Sequence, residues 1–278
     1  MSLFDAFSYD GKRALVVGGA TGMGAATAEV VRDAGAEVVV MDRAEIGIDG
    51  VRSIALDLSD KASIEAAVDA CGGPIDAVFS CAGVADGTPG IEKVNFVGHR
   101  HLVNLLLADD LLPRGSAIAM ISSSAGLGWE TNLDLIVDFL AIEDFDEASQ
   151  WCLDNERADY MWTKQVINAY VAQQAMPLMA KGIRINATLP GPTDTPLARA
   201  NADTWLTFGA DYREATGTEP STPLEQAYPL VFLCSPAASG ISGITLVTDA
   251  GFFGAGVTGT LDTANEAIKF LRGEYGPI

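Results

Sequence analysis

Val17-Gly18-Gly19-Ala20-Thr21-Gly22-Met23-Gly24 stands between the apolar run Ala14 to Val17 and a helix-like run from Ala25 to Ala34. The order is strand, glycine turn, helix. A turn this tight needs residues without a Cβ, and a pyrophosphate reaches backbone N–H groups only where no side chain stands in the way. Gly18, Gly22 and Gly24 supply those positions, with Thr21 and Met23 between them. The helix that follows points its unpaired N–H groups and the positive end of its dipole at the phosphates. A glycine triplet alone is a weak signal, so the flanking pattern matters. Glu37 to Met41 reads as a second buried strand, and it ends in Asp42, about twenty residues past the turn, where a ribose-binding carboxylate is expected. The stretch predicts a dinucleotide-binding unit.

Around it, 278 residues without a Pro/Gly/Ser-rich linker or a break in composition read as one α/β domain spanning 1–278. An apolar fraction of 49% supplies a large core, yet no run approaches eighteen apolar residues, so no membrane span is expected. Met1 to Asp10 has neither a basic start nor an apolar stretch, which argues against a signal peptide. Cys71, Cys81, Cys152 and Cys234 lie far apart with no metal-like spacing. They read as small core residues in a reducing compartment, and a cytoplasmic protein without a metal is expected. A net charge of −20 repels nucleic acid and anionic membranes. Ten acidic side chains against the single Arg157 fall in residues 130–159, so that segment exposes one face to water.

β-rich runs alternate with helical patterns along the chain, as in a parallel sheet covered on both sides. Strands are predicted near 13–17, 37–41, 52–55, 76–80, 116–121, 183–188 and 244–248, and helices near 22–34, 61–71, 91–108, 158–181 and 223–235. After the third strand, Asp57 either accepts a hydrogen bond from an adenine amino group or caps a helix, with Leu58 beside it and Ser59 and Asp60 able to cap as well. Cys81-Ala82-Gly83 ends the fourth strand, either as a close approach to a cofactor or as an ordinary turn. Asn95, between Val94 and Phe96, reads on its own as a hydrogen-bonded core amide.

The fifth strand runs into Ser122-Ser123-Ser124, at the carboxyl end where open α/β sheets bind ligands. By themselves these are turn residues as readily as catalysts. Downstream, Tyr160-Met161-Trp162-Thr163-Lys164 puts a phenol and an ammonium on one helix face. A positive neighbour favours phenolate and is expected to bring the phenol toward the working range for proton transfer.

Taken in order, these motifs resemble the short-chain dehydrogenase/reductase family from about residue 11 to residue 254. The matching residues are Gly18-x-x-x-Gly22-x-Gly24, Asp57, Cys81-Ala82-Gly83 in place of the family's Asn-Ala-Gly, Asn95, the serine strand end and Tyr160-x-x-x-Lys164. Arg184-Ile185-Asn186-Ala187, Pro190-Gly191-Pro192-Thr193-Asp194-Thr195 and Thr248-Asp249-Ala250-Gly251 complete the series. The resemblance implies a Rossmann-type doubly wound sheet of about seven parallel strands. It implies Tyr160 as general acid/base, Lys164 holding the nicotinamide ribose, Ser123 on the substrate oxygen, Asn95 in a water-linked proton path, and Thr193 and Thr195 at the nicotinamide carboxamide. Pro190 and Gly191 would be among the cofactor-binding residues.

Three departures stand out. Cys81 replaces the Asn, and Val17 stands where the family usually has Thr. Thirty-six residues separate Ser123 from Tyr160, far more than the family commonly has. The extra segment, 129–159, shows Leu133, Ile136, Val137, Leu140, Trp151 and Leu153 at helical spacing and predicts one or two amphipathic helices. A similar insertion occurs in the branch resembling bacterial 3α-hydroxysteroid dehydrogenase/carbonyl reductase. There it alters the usual subunit contact, so here it is expected to cover the helix pair used for assembly or to rim the substrate entrance. A homodimer is expected in place of the common homotetramer.

Asp42 suits NAD by accepting both ribose hydroxyls and repelling a 2′-phosphate; Arg43 is the one sign toward NADP. Residues 196–222 read as a lid, in which Leu197, Trp205, Leu206, Phe208 and Tyr212 suit a hydrophobic alcohol or ketone, whether steroid, aryl or terpenoid. The extension 255–278 predicts a short helix between Asp262 and Gly273. The expected activity is an NAD-dependent alcohol dehydrogenase or carbonyl reductase, with an NADP-dependent reductase or a non-catalytic dinucleotide sensor as alternatives. An enoyl reductase is disfavoured because that branch spaces its Tyr and Lys more widely.

Overall fold

The computed structural model describes residues 2–262 and 268–269. Seven strands form one parallel sheet: β1 Arg13–Val17, β2 Glu37–Asp42, β3 Arg52–Ala55, β4 Ala77–Ser80, β5 Ala117–Ile121, β6 Arg184–Pro190 and β7 Thr245–Thr248. Their spatial order is β3-β2-β1-β4-β5-β6-β7. The chain runs outward from β1 to β3, then returns to place β4 on the other side of β1, with Ala14 paired to both Val38 and Ala77. At that reversal the connections leave in opposite directions, which opens a crevice above the carboxyl ends of β1 and β4.

The strands read as continuous apolar runs because both sheet faces are covered. Side chains alternate: Ala14, Val16, Val38, Val40 and Phe79 face one layer, while Leu15, Val17, Val39, Met41 and Val78 face the other. The first layer is α1 (Gly22–Asp33) and, late in the chain, α10 (Pro223–Cys234). The second is α2 (Lys61–Cys71), α3 (Gly98–Ala108) and α6 (Tyr160–Ala180), joined by the insertion helices α4 (Leu133–Leu140) and α5 (Phe145–Asp154). Side-chain caps set several starts: Asp60 on α2, Asp144 on α5, Asp159 on α6 and a reciprocal Thr222–Glu225 pair on α10. The lid contains three short helices, α7 (Pro196–Ala200), α8 (Ala202–Trp205) and α9 (Ala210–Thr216), and α11 (Phe252–Thr258) follows β7.

Two details differ from the pattern in the sequence. The predicted helix 91–108 contains a π-helical turn, Lys93–Val97, which carries Asn95. In the insertion two helices form as expected, but Leu133, Val137 and Leu153 point to water at 42%, 44% and 53% exposure. The buried face is Ile136, Phe139 and Leu140 on α4 with Phe145, Ala148 and Cys152 on α5. Aromatic packing decides it: Phe139 meets Trp151 at 5.0 Å and Phe96 at 5.9 Å, and Trp151 stacks on Trp162 of α6 at 5.7 Å. The α4 sequence is apolar nearly all round, so periodicity alone does not choose its inner face. The expected helix between Asp262 and Gly273 lies mostly outside the described residues. Among the described residues, no helix is long and apolar enough to cross a membrane.

Candidate active site

The glycine turn is built by close approach. A Cβ on Gly18, whose φ is +84°, would lie 2.3 Å from the Ala82 nitrogen, and one on Gly24 would lie 2.0 Å from the Gly18 carbonyl oxygen. Both neighbours are backbone and cannot yield. Thr21 precedes α1 without a capping side-chain hydrogen bond, so the first-turn N–H groups remain available at the wall of the crevice. The turn at the end of β4 is held by backbone: the Val17 carbonyl accepts from the Cys81 nitrogen at 2.8 Å and the Ala82 nitrogen at 2.9 Å. The Asn-to-Cys and Thr-to-Val departures therefore leave these two bonds in place. Burial pushes the Cys81 thiol up to about 12, so it stays protonated.

The crevice holds a cavity of about 270 Å³. Gly18, Thr21, Gly22, Met23, Gly24, Asp42, Arg43, Asp57, Leu58, Cys81, Ala82 and Gly83 all line it. Asp42 ends β2 with Oδ2 accepting from the Ala20 nitrogen and Oδ1 from the Ala44 nitrogen, each at 2.9 Å. These bonds fix the carboxylate and leave it lone pairs for hydroxyls. Asp57 is not the cap of α2, a role that Asp60 takes. Its Oδ1 accepts from the Ser59 nitrogen at 2.9 Å and hydroxyl at 2.6 Å, which hold the carboxyl below its usual range. A glycine-walled groove, an open helix start and a fixed carboxylate at a strand end fit a dinucleotide.

A second cavity, of about 360 Å³, shares Met23, Cys81, Gly83, Thr195 and Leu197 with the first and continues toward β5 and α6. Ser123, Tyr160, Lys164, Pro190, Gly191, Thr193, Trp205 and Phe208 line it. Of the three serines, Ser122 turns inward and donates to the Lys164 carbonyl at 3.0 Å. The Ser123 hydroxyl reaches the Tyr160 phenol. Lys164 donates from Nζ to the Ile121 carbonyl at 3.1 Å and lies 5.4 Å from the centroid of the Tyr160 ring.

The expected depression of the Tyr160 phenol is not what this geometry gives. Burial pushes its pKa up, and the Ser123 hydrogen bond opposes that; burial also brings Lys164 down to about 8. Asn95 does not line either cavity. It pairs with the Val84 backbone in both directions, Val84 N to Oδ1 at 2.8 Å and Nδ2 to Val84 O at 3.1 Å, as a core amide would. It sits behind Gly83, where a Cβ would lie 3.4 Å from Asn95 Oδ1 and 3.8 Å from Lys164 Nζ. Leu206 also stays off the wall, its carbonyl accepting from Arg213. Tyr212 braces the lid, donating to the Ala250 carbonyl at 2.9 Å and meeting Phe252. The insertion covers α3 and α6 and contributes no residue to either cavity.

Two supporting residues carried no sequence signal. Asp86 Oδ1 accepts from the Tyr160 nitrogen at 3.0 Å. Buried His99 holds the Ala82 carbonyl through Nε2 at 3.0 Å, and burial lowers its pKa to about 4, so the neutral ring donates that bond. Among the described residues no His, Cys, Asp and Glu cluster suited to a metal is found.

Comparison with known proteins agrees with this architecture. The family model described as "short chain dehydrogenase" matches residues 12–132, and that described as "Enoyl-(Acyl carrier protein) reductase" matches 147–253. A coniferyl-alcohol dehydrogenase of Pseudomonas sp. is 28% identical over 86% of this chain and 96% of its own. A cis-4-hydroxycyclohexanecarboxylate dehydrogenase of Sinomonas cyclohexanicum is 30% identical over 86% of this chain and 95% of its own. The crystal structure of a 3-alpha-hydroxysteroid dehydrogenase from Pseudomonas sp. B-0831 in complex with NADH superposes with a TM-score of 0.72 at 26% identity, covering 90% of this chain and all of that one. Motif order, sheet topology and these likenesses converge: the chain belongs to the short-chain dehydrogenase/reductase family of oxidoreductases.

Proposed function

We propose that this protein interconverts a hydrophobic secondary alcohol and its ketone, using NAD. The observation that carries the reading is the meeting of Ser123, Tyr160 and Lys164 in a cavity that shares its wall with the dinucleotide groove. When bound, the nicotinamide supplies the hydride acceptor or donor. In this reading Ser123 holds the substrate oxygen and the Tyr160 Oη takes or returns its proton, the burial-raised pKa keeping the proton on the phenol until a substrate engages. Lys164, Thr193 and Thr195 hold the nicotinamide end, and Asn95 supports the loop at Val84. Asp42 favours NAD, since a 2′-phosphate would meet its carboxylate. The alcohol substrates in the relatives' names and the NADH in the similar crystal structure support this reading. The four-residue step from Tyr160 to Lys164 favours it over enoyl reduction.

The test is NADH and NADPH formation at alkaline pH from hydroxysteroids, alicyclic alcohols and aryl alcohols, with Tyr160→Phe alongside. Turnover with NAD that falls by at least about a hundredfold in the variant is expected. NAD binding without turnover of any alcohol, or full activity in Tyr160→Phe, overturns the reading.

A further inference from the structure

Among the described residues, the lid end of the second cavity is aromatic and carries no charge. Trp205, on α8, lies against Tyr160 with ring centroids 5.0 Å apart and planes tilted by 45°. Leu197, Met161 and Phe208 line the same cavity, and among the described residues Lys164 is the one charged side chain on its wall. The lid has two basic residues, and both are committed elsewhere. Arg199 grips Asp194 with bonds of 2.6 and 2.8 Å, and Arg213 donates to the carbonyls of Leu206 and Phe208. A carboxylate held at the lid end, away from Lys164, would lose its water and meet no cation among the described lid residues. A planar ring that displaces Trp205 from Tyr160 gains aromatic contact with both, worth more than its buried area alone.

We propose that Trp205 selects the substrate, and that the class it selects is the uncharged aryl alcohol or ketone. The proposal rests on the oxidoreductase reading above. The substrate ring takes the place that Trp205 holds against Tyr160, so that Trp205 touches the ring while Ser123 and Tyr160 hold the oxygen. A saturated ring of the same size fills the space without the aromatic contact, and a ring carboxylate pays desolvation without return.

Binding measured without turnover separates this from the parent reading. Ketones are titrated by calorimetry into the enzyme saturated with NAD, where no hydride is available: acetophenone, cyclohexyl methyl ketone and 4-acetylbenzoate. Acetophenone is expected to bind about three- to tenfold more tightly than its saturated counterpart, the range of one aromatic pair. It is expected to exceed 4-acetylbenzoate by at least about a hundredfold. Trp205→Ala erases the aryl preference and Trp205→Phe keeps most of it. Equal binding of the two neutral ketones, a preference that survives Trp205→Ala, comparable binding of 4-acetylbenzoate, or no ketone binding at all overturns the proposal. If 1-phenylethanol is oxidised and Tyr160→Phe stops it while the preference is missing, only the role of Trp205 falls. If NAD binds and no alcohol is oxidised, the oxidoreductase reading falls.

Discussion

The Asp86 carboxylate accepts a hydrogen bond from the backbone nitrogen of Tyr160 at 3.0 Å, tying the loop after β4 to the first residue of α6. Asp159 caps the same helix through Trp162 N at 2.7 Å, so two carboxylates occupy the helix start that aims the Tyr160 ring. Asp86→Ala is expected to lower kcat about tenfold by letting Tyr160 shift, with little change in the cofactor KM. Asp86→Asn, which keeps the accepting oxygen, restores most of the rate. Steady-state kinetics of the two variants checks this, and equal loss in both contradicts it.

Asp42 is held by the Ala20 and Ala44 nitrogens at the tip of β2, so its charge is fixed in place rather than swinging free. Asp42→Ala is expected to raise the KM for NAD about tenfold or more and to improve use of NADP, with Arg43 then free to meet the 2′-phosphate. Unchanged Michaelis constants for both cofactors refute the role.

His99 sets an acid limit on stability. Its pKa falls from an ordinary 6.5 to about 4 in the fold. The unfolded chain therefore binds the proton more readily, and the stability present above pH 6.5 is lost as pH falls through that window toward 4. The cost on complete protonation is roughly 3 kcal/mol. Thermal melts of His99→Gln, which retains a donor for the Ala82 carbonyl, should show a shallower decline from pH 6.5 to 4 than the parent protein. Parallel declines count against it.

The insertion packs on α3 and α6 from within the chain. Phe145 of α5 packs on His101 of α3 with ring centroids 5.6 Å apart, and Trp151 stacks on Trp162 of α6. With both helices covered from within the chain, a homodimer is expected in place of a homotetramer. Light scattering at several concentrations measures the mass directly, and a stable tetramer rules this out.

The sheet and the dinucleotide groove were legible in the sequence because their signals are local. A strand buried on both faces is apolar throughout, a turn folded tightly on its own backbone needs Gly18 and Gly24, and a four-residue step puts Tyr160 and Lys164 on one face whatever surrounds them. What tertiary structure alone decided are relations between distant segments. Asp86 reaches Tyr160 across 74 residues, His99 supports a carbonyl 17 residues away, and Trp205 closes on Tyr160 only because the lid folds back over β5. The same reason explains the inner face of α4. Its composition allows several, and the aromatic groups of neighbouring elements, Phe96, Trp151 and Trp162, select the one that carries Phe139. Burial likewise set the protonation of Tyr160 and Lys164, since the desolvation of each depends on the whole shell around it, which no spacing of residues records.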